Sequence, residues 1–224
     1  MIVRLLLQNV IWIVGLGAVL FLSAGTWHWP AGWIFLATMA LLGLGDGLWL
    51  AKSDPDLLAE RMRGMMQAGQ PTADKVFIVV FGCVALVWFI VIGLERRAKA
   101  SDIPVILQAL GFVLLLLSNV FVMWVMRTNS FAAPVIKIQA ERGQRVVDGG
   151  PYAYVRHPMY SGAILFFAGV PLLLGSWRGL IMVSLFVLLF GYRVGIEERE
   201  LISGLSGYAD YVSRVRYRLI PGLW

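Results

Sequence analysis

The sequence has few charged residues, few histidines and a single cysteine. Only 14% of its 224 residues are charged and 59% are hydrophobic, whereas soluble domains carry about 25% charged residues. Cys83 stands alone, which excludes a disulfide framework and a thiolate metal site. His28 and His157 are too far apart for the usual metal-ligand spacings. These scarcities exclude a water-soluble fold with a polar surface and argue against metal chemistry.

Long apolar runs make up much of the chain. Six segments reach or approach the roughly 20 residues that span a bilayer, and they lie at about 5–24, 31–51, 76–94, 103–126, 159–175 and 178–195. Lipid offers no partner to backbone polar groups, so these segments should be helices. The sequence therefore predicts an all-α membrane protein with five to six transmembrane helices. The last two helices, separated only by Ser176 and Trp177, are expected to form a hairpin.

The polar segments divide the chain into two parts. Residues 1–126 would hold four transmembrane helices and an interfacial loop, 52–75, in which Asp54-Pro55 predicts the start of a short helix. Residues 127–224 would hold a polar segment, the hairpin and a tail. Taken alone, the basic, tyrosine-rich tail is typical of an amphipathic element on anionic lipid. Gly43-x-x-x-Gly47 favours close helix packing over a nucleotide loop, because no strand precedes it.

The basic residues predict the orientation. The formal charge is +6, which could indicate nucleic acid, but the lysines and arginines lie in loops between apolar segments. With a cytoplasmic N-terminus, 15 of the 19 basic residues face the cytoplasm. This bias predicts that both termini are cytoplasmic. It also places the polar segments 127–158 and 196–224 on the same side, and no nucleic-acid partner is expected.

Four acidic or basic positions in or next to the apolar segments need an explanation. Asp46 is an intramembrane acid, which is a functional candidate by default, although it lies near the cytoplasmic end and could meet water or Arg61. Arg193 and Glu197 are four residues apart and could simply form an ion pair on one helix face. That pairing would leave the adjacent Glu198 unexplained.

The most informative stretch runs from Arg145 to Gly162. His157 precedes a proline, which disfavours helical geometry at His157, and Pro158 suits the first position of a helix. His157 should therefore stand at the mouth of the fifth helix, where free amide groups attract an anion. Tyr160 would lie one turn inside. An ordinary aromatic and basic membrane-interface belt would explain Arg156 and Tyr160 but not His157.

Together these residues resemble the isoprenylcysteine carboxyl methyltransferase and phospholipid methyltransferase family of membrane enzymes. The matching pieces are Gly150-Pro151-Tyr152, Arg156-His157-Pro158-Met159-Tyr160-x-Gly162, Glu197-Glu198-x-x-Leu201, Tyr208-x-x-Tyr211 and Arg218-x-x-Pro221. The resemblance covers about residues 135–224. The first four helices match only in being hydrophobic.

The resemblance implies that S-adenosylmethionine binds on the cytoplasmic side. The residues implied for cofactor binding are Gln139, Gln144, Arg145, Val146, Val147, Tyr152, His157, Pro158, Met159, Tyr160 and Glu197. Gln144 and Arg145 depart from the family's usual residues, and Gln139 aligns only with a gap. Arg193 falls where the family places an arginine for the substrate carboxylate. The catalytic residues implied are thus Arg193, Glu197 and Glu198, with no metal.

The expected reaction is methyl transfer to the carboxylate of a prenylated or lipid-like acceptor that enters from the bilayer. A carboxylate is already ionised and needs no base, and Arg193 could hold it. An amine acceptor, as in phospholipid N-methylation, would need a base, for which Glu197 or Glu198 is the nearby choice. A non-catalytic membrane protein or small transporter is the third hypothesis. Polar residues concentrate at the cytoplasmic helix ends rather than at mid-membrane, which argues against transport.

Overall fold

The computed structural model describes residues 1–224 and contains only helices and loops. The α-helices are α1 (Ile2–Ala24), α2 (Pro30–Ser53), α3 (Pro55–Arg61), α4 (Thr72–Arg97), α5 (Val105–Thr128), α6 (Pro158–Leu174), α7 (Trp177–Ile181), α8 (Val183–Gly204) and α9 (Tyr208–Arg214). Five helical spans are long and apolar enough to cross a membrane: α1, α2, α4, α5 and the α7–α8 unit. The 17-residue α6 is the shortest apolar helix, as predicted, and measures about 26 Å.

Large apolar side chains cover the outside of the bundle. Trp12, Ile106 and Leu188 are each at least 70% exposed, and all lie within spanning helices. An apolar surface of this extent would be unstable in water but suits contact with lipid tails. The chain is therefore an integral, multi-pass membrane protein.

The helix boundaries follow the expected capping chemistry. The Asp54 side chain accepts a hydrogen bond from the Leu57 amide at 2.9 Å, which confirms the short helix predicted in the 52–75 loop. His157 is the residue before Pro158 at the start of α6, and Gly175 ends that helix with φ at +80°. The last spanning helix extends to Gly204, further than the predicted 195, so that Glu197 and Glu198 lie on its final turns.

Helix α6 makes its most extensive contact with α5, the helix before it in the chain. A Cβ atom on Gly111 of α5 would lie 2.4 Å from the Leu173 backbone nitrogen, so only glycine permits this approach. The Ser118 hydroxyl of α5 donates to the Gly162 carbonyl of α6 at 2.8 Å. Glycine packing also joins α1 to α2, where a Cβ on Gly47 would lie 2.6 Å from Leu5.

Helices α6 and α8 also lie side by side. The rings of Phe167 and Phe186 stack with centroids 4.0 Å apart, and Trp88 of α4 meets Phe186 at 5.1 Å. At the turn between the helices, the Ser176 side chain accepts from the Gly179 amide at 2.8 Å. The buried Glu95 carboxylate of α4 accepts from the Ser176 hydroxyl. The aromatic cluster and this polar turn fix α6 and α8 against α4.

The polar segment between α5 and α6 and the C-terminal tail cover the end of the bundle at which α6 begins and α8 ends. The amides of Arg156 and His157 donate to the carbonyls of Tyr217 and Arg218, both at 2.9 Å. In α9, Tyr208 and Tyr211 are only 4% and 1% exposed. The expectation that the tyrosine-rich tail lies on lipid is therefore wrong for these two tyrosines, because they pack into the protein. Tyr217, Ile220, Leu223 and Trp224 of the tail remain exposed.

Candidate active site

A cavity with a volume of about 840 Å³ connects the polar segment between α5 and α6 with the interior of the helical bundle. Its polar end includes Tyr152, His157 and Glu197. Its other end is an apolar arm between α1 and α4, lined by Ile11, Gly15, Leu16 and Val19 of α1 and by Ile78, Phe81, Gly82, Ala85 and Phe89 of α4. Hydrophobic residues contribute 29 of the 43 lining positions. The cavity could thus hold a polar and an apolar group at the same time.

Most of the residues singled out from the sequence come together here. The cavity is lined by Gln139, Gln144, Arg145, Val146, Val147, Tyr152, His157, Met159, Tyr160, Arg193 and Glu197. Pro158 and Glu198 are not among the lining residues. Pro158 starts α6 and is buried, and its place in the site is to fix the helix beside His157.

His157, Tyr160 and Glu197 form one polar group at the floor of the cavity. The Tyr160 hydroxyl donates to Glu197 Oε2 at 2.8 Å, and His157 Nδ1 lies 3.6 Å from the same oxygen. Burial lowers the pKa of His157, but the charges of Glu197 and Glu198 raise it more, so the net pKa lies above its ordinary value. The group therefore presents a carboxylate that accepts from a phenol and lies beside an imidazole whose protonated form is favoured.

Glu198 acts through its neighbours and does not face the cavity. Arg156 donates to Glu198 Oε1 through Nε and Nη2, each at 2.6 Å, and Arg218 donates to Oε2 at 2.9 Å. His157 Nε2 lies 3.4 Å from Oε1. Glu198 does not line the cavity, and in this geometry its side chain joins the tail to α8 and contacts His157. Its catalytic role stays a prediction.

Arg193 is held by an acid from another helix. Its Nε donates to Asp74 Oδ1 at 2.9 Å, and its Nη2 donates to the Pro134 carbonyl at 2.7 Å. Asp74 is fully buried and also accepts from the Ile136 amide at 2.9 Å. The i,i+4 pair with Glu197 considered from the sequence is not formed, because Asp74 of α4 takes that role. Arg193 keeps unused N–H groups and lies 4.8 Å above the Phe77 ring.

Three tyrosines form the wall on the side of the tail. The Tyr152 hydroxyl accepts from Asn129 Nδ2 at 2.8 Å, and the Tyr211 hydroxyl donates to the Tyr152 carbonyl at 2.7 Å. The Tyr208 hydroxyl is buried without any hydrogen-bond partner, although Tyr208 lines the cavity. Burial raises the pKa of all three phenols, which therefore stay neutral near pH 7.

The two glutamines maintain the polar segment. Gln139 Nε2 donates to the Phe131 carbonyl at 2.9 Å, and the Gln139 amide donates to Gln144 Oε1 at 2.6 Å. Both residues border the cavity while holding its roof in place. Their contacts explain why a polar residue is needed at each position.

Sequence reasoning missed Asp74, Asn129 and the cavity-facing position of Arg61. Asp74 lies 119 positions before its partner Arg193, and no local spacing connects the two. An acidic residue in the first turn of α4 was a weak signal, since such residues usually serve the helix dipole. Asp46 accepts from Asn119 at 3.3 Å and forms no hydrogen bond or salt bridge with Arg61.

Comparisons with known proteins show which family and which fold this chain resembles. The phospholipid methyltransferase family model matches residues 106–205. A protein-S-isoprenylcysteine O-methyltransferase of Schizosaccharomyces pombe is 27% identical over 180 residues, covering 78% of this chain and 67% of that protein. A solved eukaryotic intramembrane Ras methyltransferase, isoprenylcysteine carboxyl methyltransferase, superimposes with a TM-score of 0.57 at 23% identity. That superposition covers 93% of this chain and 74% of the solved chain, and it shows a shared fold.

Proposed function

We propose that this chain, which belongs to the isoprenylcysteine carboxyl methyltransferase and phospholipid methyltransferase family of membrane enzymes, methylates the carboxylate of a prenylated or lipid-like acceptor, with S-adenosylmethionine as donor. One observation carries the proposal. A single cavity joins the polar group of His157, Tyr160 and Glu197 to an apolar arm that reaches into the bundle. A polar cofactor and a lipid tail need this combination.

The polar end fits S-adenosylmethionine. The orphaned Tyr208 hydroxyl offers a hydrogen bond that nothing in the protein uses. The Glu197 carboxylate and the ring of Tyr160 are groups that favour a cation. The residues we assign to the cofactor are those that line this end: Gln139, Gln144, Arg145, Val146, Val147, Tyr152, His157, Met159, Tyr160 and Glu197. When bound, the cofactor supplies a methyl group activated by a sulfonium.

The protein contributes positioning more than acid–base chemistry. A carboxylate acceptor is ionised at neutral pH, so the site needs a cation to hold it and a wall that fixes its direction of attack. Arg193, anchored by Asp74, still has N–H groups to offer and borders the cavity. Because Asp74 orients the guanidinium before the acceptor arrives, little ordering is needed on binding.

The apolar arm suits the lipid part of the acceptor. From Phe77 to Phe89 it extends about 18 Å along α4. Gly15 and Gly82 border it, and a Cβ at either position would meet no atom within 4 Å, so the arm has open space there. We infer that the lipid tail enters sideways between helices and that the cofactor enters from the cytoplasmic side, where 15 of the 19 basic residues would lie.

The family model that matches residues 106–205 is that of phospholipid methyltransferases, so N-methylation of a lipid amine is the second candidate. An amine acceptor would be protonated and would need a base. Glu197, which borders the cavity together with Glu200, would have to accept that proton, although it already accepts from Tyr160. The carboxylate reaction makes no such demand.

Labelled methyl transfer by the purified protein in detergent separates the two candidates. The acceptors are an S-prenylcysteine with a blocked amine and phosphatidylethanolamine, and base treatment releases methyl esters but not methylated amines. We expect base-labile label on the S-prenylcysteine with wild type and loss of most of it with Glu197→Gln. Label that resists base would favour the amine reaction, and no label in either acceptor would contradict both.

A further inference from the structure

Arg61 is a cationic side chain of the cavity wall whose role the reaction described above does not explain. It is the last residue of α3, and its guanidinium reaches the cavity near Tyr152. Its Nη1 donates to the Ala132 carbonyl at 2.8 Å, and no other hydrogen bond involves its side chain. A guanidinium has five N–H donors, so most of its donors have no protein partner.

Apart from the exposed Arg145, the other lysines and arginines that line the cavity all have an acidic partner. Lys137 lies 2.8 Å from Glu60, Arg156 is 2.6 Å from Glu198, and Arg193 is 2.9 Å from Asp74. No Asp or Glu oxygen lies within salt-bridge distance of Arg61. Arg61 is partly buried. Holding a charge partly out of water without a partner costs free energy, so a ligand that supplies the missing anion would be bound favourably.

The position of Arg61 is fixed before any ligand binds. Leu57 and Leu58 of α3 are buried, and Glu60 of the same helix is bound to Lys137 of the polar segment. With the Ala132 contact, these interactions hold the guanidinium at the cavity wall. A planar, pre-positioned fork of donors matches the two oxygens of a carboxylate.

We propose that Arg61 binds a ligand carboxylate in this cavity, as a second anion site separate from Arg193. The proposal rests on the methyltransferase function above, because both of its substrates carry a carboxylate. The carboxylate could be that of the methionyl part of S-adenosylmethionine or that of the acceptor. The chemistry is the same in the two cases, and the following experiment distinguishes them.

The test compares wild type with Arg61→Gln, Arg61→Lys and the control Arg63→Gln. Arg63 is two residues away with its side chain 55% exposed, and its partner Glu60 keeps its pair with Lys137 at 2.8 Å when Arg63 is replaced. Calorimetry measures the Kd of S-adenosylmethionine and of methylthioadenosine, which lacks the carboxylate. Kinetics measure the KM of the acceptor, and its carboxamide analogue serves as an inhibitor without the charge.

If Arg61 binds the cofactor carboxylate, Arg61→Gln raises the Kd of S-adenosylmethionine by about tenfold or more and leaves the Kd of methylthioadenosine unchanged. If the acceptor carboxylate is bound, the KM of the acceptor rises by a similar factor while the carboxamide inhibitor binds as before. Arg61→Lys, which keeps the charge but not the fork, should give an intermediate loss in either case. Thermal unfolding of each variant shows whether the protein is folded. If Arg61→Gln is not folded, Arg61→Lys alone is compared with wild type.

The inference is overturned if Arg61→Gln changes neither the Kd of S-adenosylmethionine nor the KM of the acceptor more than Arg63→Gln does. It is also overturned if the binding of the carboxylate-free ligands weakens equally. The latter result would mean that Arg61 only ties α3 to Ala132. A wild-type protein that binds no S-adenosylmethionine would instead contradict the proposed function, so the two failures can be told apart.

Discussion

Replacing Asp74 with asparagine tests how the candidate substrate arginine is held. Asp74 is fully buried and accepts hydrogen bonds from Arg193, Gln70 and the Ile136 amide at 2.7 to 2.9 Å. Asp74→Asn removes the negative charge but keeps one oxygen that can still accept. The side chain of Arg193 is 12% exposed and would lose its counter-charge. Breaking a buried ion pair from one side costs about 3–5 kcal/mol.

We expect the lower end of that range, about 3 kcal/mol, because the Pro134 carbonyl and the Phe77 ring continue to hold Arg193. The free energy of unfolding can be measured by titrating mixed micelles with denaturing detergent while following helicity. A double-mutant cycle with Arg193→Gln should show a coupling energy of about 1–3 kcal/mol. In the same variant, the KM of the acceptor should rise, because Arg193 is no longer oriented.

The matched control is Asp56→Asn, since Asp56 is an exposed aspartate with no ion pair. It should change neither stability nor KM. If Asp74→Asn unfolds like the control and methylates its acceptor normally, the argument that Asp74 positions Arg193 is refuted.

Two further predictions concern the apolar arm and the histidine. Gly82→Leu should fill the arm and raise the KM of a long prenyl acceptor several-fold without changing the Kd of S-adenosylmethionine. Gly45→Leu, in open space outside the cavity, should change neither value. Equal effects of Gly82→Leu on the KM, measured kinetically, and on the Kd, measured by calorimetry, would contradict the role of the arm. The pKa of His157 is raised above its ordinary 6.5 in the folded state, so its stabilising contribution is complete below that pH and is lost as the pH rises through the higher folded value. The midpoint temperature of thermal unfolding should therefore decline from pH 6 to 9 in wild type. The decline should be smaller in His157→Gln and unchanged in His28→Gln. Identical declines in all three proteins would contradict this assignment.

The sequence predicted the membrane fold because the signals involved are local. Apolar runs of spanning length need no knowledge of tertiary contacts, and the short α6 was already visible as the shortest run. The cap at Asp54 and the start of α6 at Pro158 were also predicted, because capping depends on neighbouring residues. The end of α8 was placed too early, since a hydropathy pattern stops at the membrane edge whereas the helix continues to Gly204.

The candidate site could be predicted only where its residues lie in one short segment. His157 and Tyr160 were found because the Arg156–Gly162 stretch carries an unusual pattern. Asp74 and Arg61 come from other parts of the chain, and packing between helices brings them to the site. The different roles of Glu197 and Glu198 were not predictable either, because adjacent helical positions differ only in which neighbours they meet.

Calorimetric titration of the purified protein with S-adenosylmethionine tests the central claim, that the polar end of this cavity is a cofactor site. We expect one molecule to bind per chain in wild type, much weaker binding in Tyr152→Ala and Glu197→Gln, and unchanged binding in Gly82→Leu, which alters only the apolar arm. Absence of binding in wild type, or equal binding in all four proteins, would contradict the claim.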